Sequence, residues 1–165
     1  MEPDTLYLED DGLIPNNSLP LLIYQDAFKE RGMDGARWLE KRFRQNNWLN
    51  SWRNGVFSYH HYHSNTHEVL GVYSGSAKLH MGGESGIEVE VSAGDVIIIP
   101  AGVGHKNLGA SRDFGVVGAY PNGNSYDLKT GEEGERPQAD QNIKKVAKPA
   151  MDPLTGDDKG LVEIW

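Results

Sequence analysis

All six histidines of the chain lie between positions 60 and 105. With no cysteine in the sequence, disulfides, thiolate metal sites and cysteine nucleophiles are excluded, and any reactive centre must be built from nitrogen and oxygen groups. His61 and His63 stand two residues apart in the run from Val56 to His63, whose alternation predicts a strand carrying Phe57, Tyr59, His61 and His63 on one face. Two imidazoles roughly 6–7 Å apart along a strand can converge on one ion about 2 Å from each nitrogen. Glu68, after the polar Ser64-Asn65-Thr66 bend, can bring an anionic oxygen to the same ion, and His105, after the glycine-punctuated turn from Pro100 to Gly104, supplies a fourth donor. His61, His63, Glu68 and His105 are therefore the expected ligands of one divalent transition metal ion, whether Fe, Mn, Ni, Co, Cu or Zn. Three imidazoles and a carboxylate leave two positions of an octahedron open to water, dioxygen or a chelating ligand. Tyr59 is the nearest expected proton donor. His67 either displaces one of these ligands or acts as a donor behind them; neighbouring strand residues face opposite ways, which favours the second role. His60 and His80 face away by the same alternation and are expected as surface or packing residues.

The elements that must position these groups are short. Twenty glycines and eight prolines in 165 residues separate brief apolar runs rather than collecting in one linker. Residues 1–20 read as an extended arm and Leu21–Tyr24 as a buried strand. A helix from Gly35 to about Gln45 follows, with Ala36, Leu39 and Phe43 on its apolar side. Trp38, Trp48 and Trp52 are expected to pack against the domain rather than form a binding platform. Strands are predicted at Glu68–Ser74, Ala77–Met81, Ile87–Val91, Val96–Ile99 and Phe114–Tyr120, the fourth apolar throughout and so covered on both faces. About seven short strands imply an antiparallel sandwich or barrel. The polar stretch from Pro121 onward is expected to wrap the surface or remain partly mobile.

These residues resemble the cupin superfamily. Its first motif, G-x5-H-x-H-x4-E-x6-G, is matched from Gly55 through His61, His63 and Glu68 to Gly75 without insertion. Its second, G-x5-P-x-G-x2-H-x3-N, is matched at Gly94, Pro100, Gly102 and His105, with Gly109 where the motif has Asn. The whole chain looks like the small single-domain bacterial cupins of the YjlB-like type. The resemblance implies an all-β fold, a double-stranded β-helix or jelly-roll barrel, with an N-terminal arm containing one helix and an irregular C-terminal tail. One domain over residues 1–165 is expected, divided into an N-terminal extension (1–53), a barrel core (54–121) and a C-terminal wrap (122–165). The resemblance implies the same four metal ligands and allows a homodimer.

Sixteen Lys and Arg against 24 Asp and Glu give a net charge of −8, which opposes binding to nucleic acid phosphates or to an anionic membrane surface. No apolar run reaches the roughly 18 residues of a membrane span, and the N-terminus reads as that of a cytoplasmic protein. The expected partner is a small molecule. Two functions fit: a metal-dependent enzyme, either an oxygen-using oxidoreductase or an isomerase of a small polar metabolite, and a non-catalytic module that binds or senses a small molecule or metal. Polypeptide recognition by the acidic ends is a third.

Overall fold

The computed structural model describes all 165 residues. Nine strands, β1 (Asp4–Leu8), β2 (Asn17–Tyr24), β3 (Trp48–Asn54), β4 (Glu68–Ser74), β5 (Ser76–Met81), β6 (Ile87–Ser92), β7 (Val96–Ile99), β8 (His105–Ala110) and β9 (Gly115–Pro121), are joined by helices α1 (Gly32–Gln45), α2 (Gln138–Lys145) and α3 (Leu161–Ile164). They form a six-stranded sheet in the order β1-β2-β7-β4-β9-β3 and a three-stranded sheet β6-β5-β8, antiparallel throughout. This is the all-β jelly-roll architecture that the motifs imply.

The six-stranded sheet is apolar on both faces, because successive strand residues point to opposite sides. Leu22, Tyr24, Val69, Val96, Ile98, Val117 and Ala119 face α1 and join Ala36, Leu39, Phe43 and Trp48 in an outer core. Leu21, Ile23, Leu70, Val72, Ile97, Ile99 and Val116 face inward and meet Ala77, Leu79, Met81 and Val91 of the smaller sheet. That two-sided burial is why Val96–Ile99 has no polar alternation. The smaller sheet has one wet face, and there Lys78, Glu88 and Glu90 alternate with the buried residues.

The N-terminal segment is more deeply integrated than an arm. β2 lies inside the large sheet between β1 and β7, with Leu22 and Tyr24 turned to the outer core and Leu21 and Ile23 to the inner one. Trp48–Asn54 forms the edge strand β3 against β9, a strand that its mixed polar composition hides. The run from Val56 to His60 forms no strand; only His61 and Tyr62 make isolated bridges, to His105 and Lys129. The tail is ordered rather than loose. Asp152, fully buried, accepts hydrogen bonds from the Tyr24 hydroxyl at 2.8 Å and from the amides of Leu154, Thr155 and Leu161, and Leu154 and Leu161 enter the outer core. Isolated anchors of this kind leave no periodic trace in a sequence. No helix of the structure is long and apolar enough to cross a membrane.

Candidate metal centre

His61 and His63 keep a common face even without a regular strand. His61 and His105 exchange both backbone hydrogen bonds, N–H to O at 3.2 and 2.9 Å, the Gly102 amide donates to the His63 carbonyl at 2.7 Å, and Tyr62 pairs on the other side with Lys129. This local pairing holds residues 61–63 extended, so the i, i+2 rule survives for the two histidines. Gly102, at φ +88°, gives the chain the left-handed turn that brings His105 back to them. Glu68 begins β4 on its inward face, in line with Leu70 and Val72.

The structure gathers the four expected donors at the open end of the inner core, each less than 10% exposed. Glu68 Oε1 lies 3.4 Å from His63 Nε2 and 3.3 Å from His105 Nε2, and donor atoms of these three residues all lie within 4.8 Å of one another. His61 stands just outside that closest set, its ring centre 4.0 Å from that of His105 and 6.1 Å from that of His63. The imidazoles are oriented from behind. Nδ1 of His61 contacts the Tyr59 carbonyl at 2.9 Å, Nδ1 of His105 the Val103 carbonyl at 3.1 Å, and Nδ1 of His63 the Asp127 carbonyl. A carbonyl can only accept, so Nδ1 carries the hydrogen and Nε2 keeps its lone pair, as a metal-binding imidazole requires.

The electrostatics suit a cation. Burial, helped by the neighbouring His105, pushes His61 down to about 3 and so keeps it neutral at physiological pH. Burial also opposes a charge on His63, but the hydrogen bond and charge of Glu68 more than offset it and raise His63 above its ordinary value. Burial alone would raise Glu68; its close contacts with His105 and His63 outweigh it and hold the carboxyl far below the usual carboxylate range. The carboxylate is thus held charged beside the imidazoles, where it can offset part of a cation's charge. The donor set, nitrogens and oxygen with no sulfur, fits a borderline divalent transition metal.

Above the cluster is a cavity of about 310 Å³, at the small end for small-molecule sites. Trp52, Phe57, Leu70, Tyr120 and Tyr126 supply its apolar walls. Its one cationic liner, Arg53, is held by Glu40 through two hydrogen bonds at 2.8 and 2.7 Å. Tyr59, the expected proton donor, does not line this cavity. Its ring is half exposed and stacked on Phe57, because residues 56–60 are not a strand and the alternation that would turn it inward fails; it contributes the carbonyl behind His61. His67 faces away from Glu68, as alternation requires, and touches none of the other donors. Its Nδ1 accepts the Ala101 amide at 2.9 Å, its Nε2 donates to the Ala147 carbonyl at 3.2 Å, and its ring lies against Trp165, so it fastens the tail. His60 and His80 sit together on the outside, His60 against Glu84.

Four residues of the site escape a reading of the sequence. Trp52 reads as a packing residue, yet it walls the cavity. Tyr120 is buried at the end of β9, and Tyr126 stacks on it at 4.9 Å while meeting His63 edge-on at 5.1 Å. Asp127 braces the loop before β4, taking hydrogen bonds from the amide and hydroxyl of Ser64. The last two belong to the supposed tail, where only their proximity in space reveals them; for Trp52 and Tyr120 the signal was the pairing of two aromatic-bearing strands.

Residues 53–112 match the family model described as Cupin domain, and the chain belongs to the cupins, among the small bacterial members of the YjlB type. It is 48% identical over 165 residues to "Uncharacterized protein YjlB" of Bacillus subtilis (strain 168), an alignment covering 99% of this chain and 97% of that protein. Partial structural likenesses include acireductone dioxygenase from Bacillus anthracis with cadmium ion in its active centre, at 18% identity and TM-score 0.40 over 52% of this chain and 58% of that one. Another is procruciferin, the 11S globulin of Brassica napus, at 24% identity and TM-score 0.40 over 48% of this chain and 21% of that one.

Proposed function

We propose that this cupin is a metal-dependent enzyme, an oxygen-using oxidoreductase or an isomerase, acting on a small polar metabolite that chelates the metal. The observation that carries the reading is the set of three imidazoles with Nδ1 tied to main-chain carbonyls, facing a buried carboxylate at the floor of a cavity. Passive binding of a small molecule needs no such pre-oriented donor set. His61, His63, Glu68 and His105 would hold the ion, which would supply Lewis-acid and redox chemistry at the open positions. The chain's own part is to orient and exclude. The Tyr59, Val103 and Asp127 carbonyls fix the ring nitrogens, Glu68 offsets part of the cation's charge, and the aromatic walls keep water from a bound substrate. Because Arg53 is committed to Glu40, an anionic substrate finds its positive partner in the metal alone, which favours a small acid, diketone or hydroxy acid bound through two oxygens.

The open, half-exposed mouth formed by Phe57 and Tyr126 favours a second reading, a non-catalytic module that binds a small molecule at the metal. Oxygen uptake and product analysis across a panel of small organic acids separate the two. Turnover with at least one compound, lost in Glu68→Gln, is expected; saturable binding throughout the panel without turnover would favour the module.

A further inference from the structure

Trp52 and Tyr120 belong to neither histidine motif, yet the sheet register brings both to the carboxylate. The pairing of Val69 with Ala119 and Leu70 with Gly118, carried one residue further, sets Glu68 opposite Tyr120. On the other side of β9, Trp52 pairs with Gly118. Cross-strand partners and residues two apart share a face, so Glu68 and Tyr120 form one rung and Leu70, Gly118 and Trp52 the next, all lining the cavity except Gly118 itself. Gly118 makes the arrangement feasible: a Cβ there would run into the Trp52 indole.

Donor counting fixes the direction of the hydrogen bonds. The indole N–H can only donate, and it lies 2.8 Å from the Tyr120 oxygen. Tyr120 therefore accepts from Trp52, and its single proton is left to point at another acceptor. The Glu68 carboxylate shares its rung and its cavity, and burial, reinforced by that negative charge, raises Tyr120 above its ordinary value. Glu68 presents Oε1 to the Nε2 atoms of both His63 and His105.

We propose that Tyr120, itself held by Trp52, is a positioning residue that fixes the rotation of the Glu68 carboxylate, so that Glu68 offers the imidazoles a single oxygen and leaves the remaining metal positions free for ligand. The inference rests on the metal-centre reading above. In the absence of this hydroxyl the carboxylate is free to turn and present both oxygens, which would close a position that substrate needs.

The test uses Co(II) as probe, with equilibrium dialysis for affinity and the visible absorption of the loaded protein for coordination. Tyr120→Phe is expected to weaken Co(II) binding roughly 10-fold or more, in the range found when the hydrogen-bond partners of metal ligands are removed, and to shift the visible bands. Trp52→Phe and Gly118→Ala, which release Tyr120 without removing its hydroxyl, should shift the bands in the same sense with a smaller loss of affinity. Wild-type affinity and spectrum in both Tyr120→Phe and Trp52→Phe would overturn the proposal, and if Tyr120→Phe does not fold, Trp52→Phe alone decides it. A second readout needs no metal. In the metal-free protein the Tyr120 hydroxyl proton should appear in NMR as a slowly exchanging resonance with a cross-peak to the Trp52 indole N–H, and Glu68→Gln should move it. A wild-type chain that takes up no Co(II) overturns the metal-centre reading, whereas a hydroxyl resonance unmoved by Glu68→Gln overturns this inference.

Discussion

The two cores on either side of the six-stranded sheet are built from alternate residues of the same strands, yet they are used differently. The outer one, between sheet and α1, is closed by Leu39, Phe43 and Trp48 and by Leu154 and Leu161 of the tail. The inner one begins in the same apolar way with Leu79, Met81 and Ile97 but ends in three imidazoles and a carboxylate. A fully buried large apolar side chain stabilises a fold by roughly 1.5–3 kcal/mol, whereas a buried polar group costs stability unless it is paired. The outer core therefore supplies stability from which the open end of the inner core draws, and the main-chain carbonyls behind each imidazole limit that cost. Substitutions should separate the two regions.

The largest effect on folding is expected in the outer core. Phe43, fully buried on α1, contributes nothing to the metal centre; Phe43→Ala should cost about 3–5 kcal/mol by chemical denaturation while the folded fraction keeps its metal content. Loss of metal from folded Phe43→Ala protein would mean that the two regions are not separable.

Acid should act on the buried imidazoles, His61 at the inner site and His67 beneath the tail. His61 and His67 are pushed down to about 3 and about 4 by burial, below the histidine value near 6.5 of an unfolded chain. As pH falls below that value the unfolded chain takes up protons that the folded one refuses, so stability is lost between about pH 6.5 and 4. Each group contributes a slope of at most about 1.4 kcal/mol per pH unit. His63, raised by Glu68, adds stability that is fully present in this window, and Glu68, lowered, loses its contribution only at more acid pH. Denaturation of chelator-treated protein at pH 7 and pH 5 should show the decline; equal stability at both would show that the buried histidines are not held neutral. Bound metal should also leave as pH falls through the histidine range, and retention at pH 4 would contradict a centre built on imidazoles.

A smaller effect is expected at the border between site and tail. Asp127→Ala removes the side chain that receives the Ser64 amide at 2.6 Å and its hydroxyl but keeps the main-chain carbonyl behind His63. It should lower metal affinity by about 10-fold with little change in thermal stability, read by competition with a chromogenic chelator; unaltered affinity would show that the loop holds itself.

The same contrast governs what the sequence makes legible. Periodicity reports which face an element buries, so α1, with Ala36, Leu39 and Phe43, and the doubly covered β7 are readable in advance. The proximity of His63, Glu68 and His105, with His61 beside them, is readable as well, since their spacing follows local geometry: an i, i+2 pair, a short bend and a glycine turn. Periodicity fails where pairing is long-range. β3 looks polar because it is an edge strand, Val56–His60 meets β8 only through the Phe57 carbonyl and the Asn107 amide and forms no strand, and Tyr59 is misplaced as a result. Tyr120, Tyr126 and Asp127 reach the site only through contacts across the fold, and the tail is held by single anchors such as Asp152 and Trp165, which no repeating pattern announces.

Four side chains from separate segments are proposed to share one ion. Elemental analysis of the purified protein beside its His105→Ala variant decides this: close to one transition-metal ion per chain is expected in the first and almost none in the second, with both folded. Equal metal in the two, or none in the unaltered protein after exposure to each of the candidate ions, would contradict it.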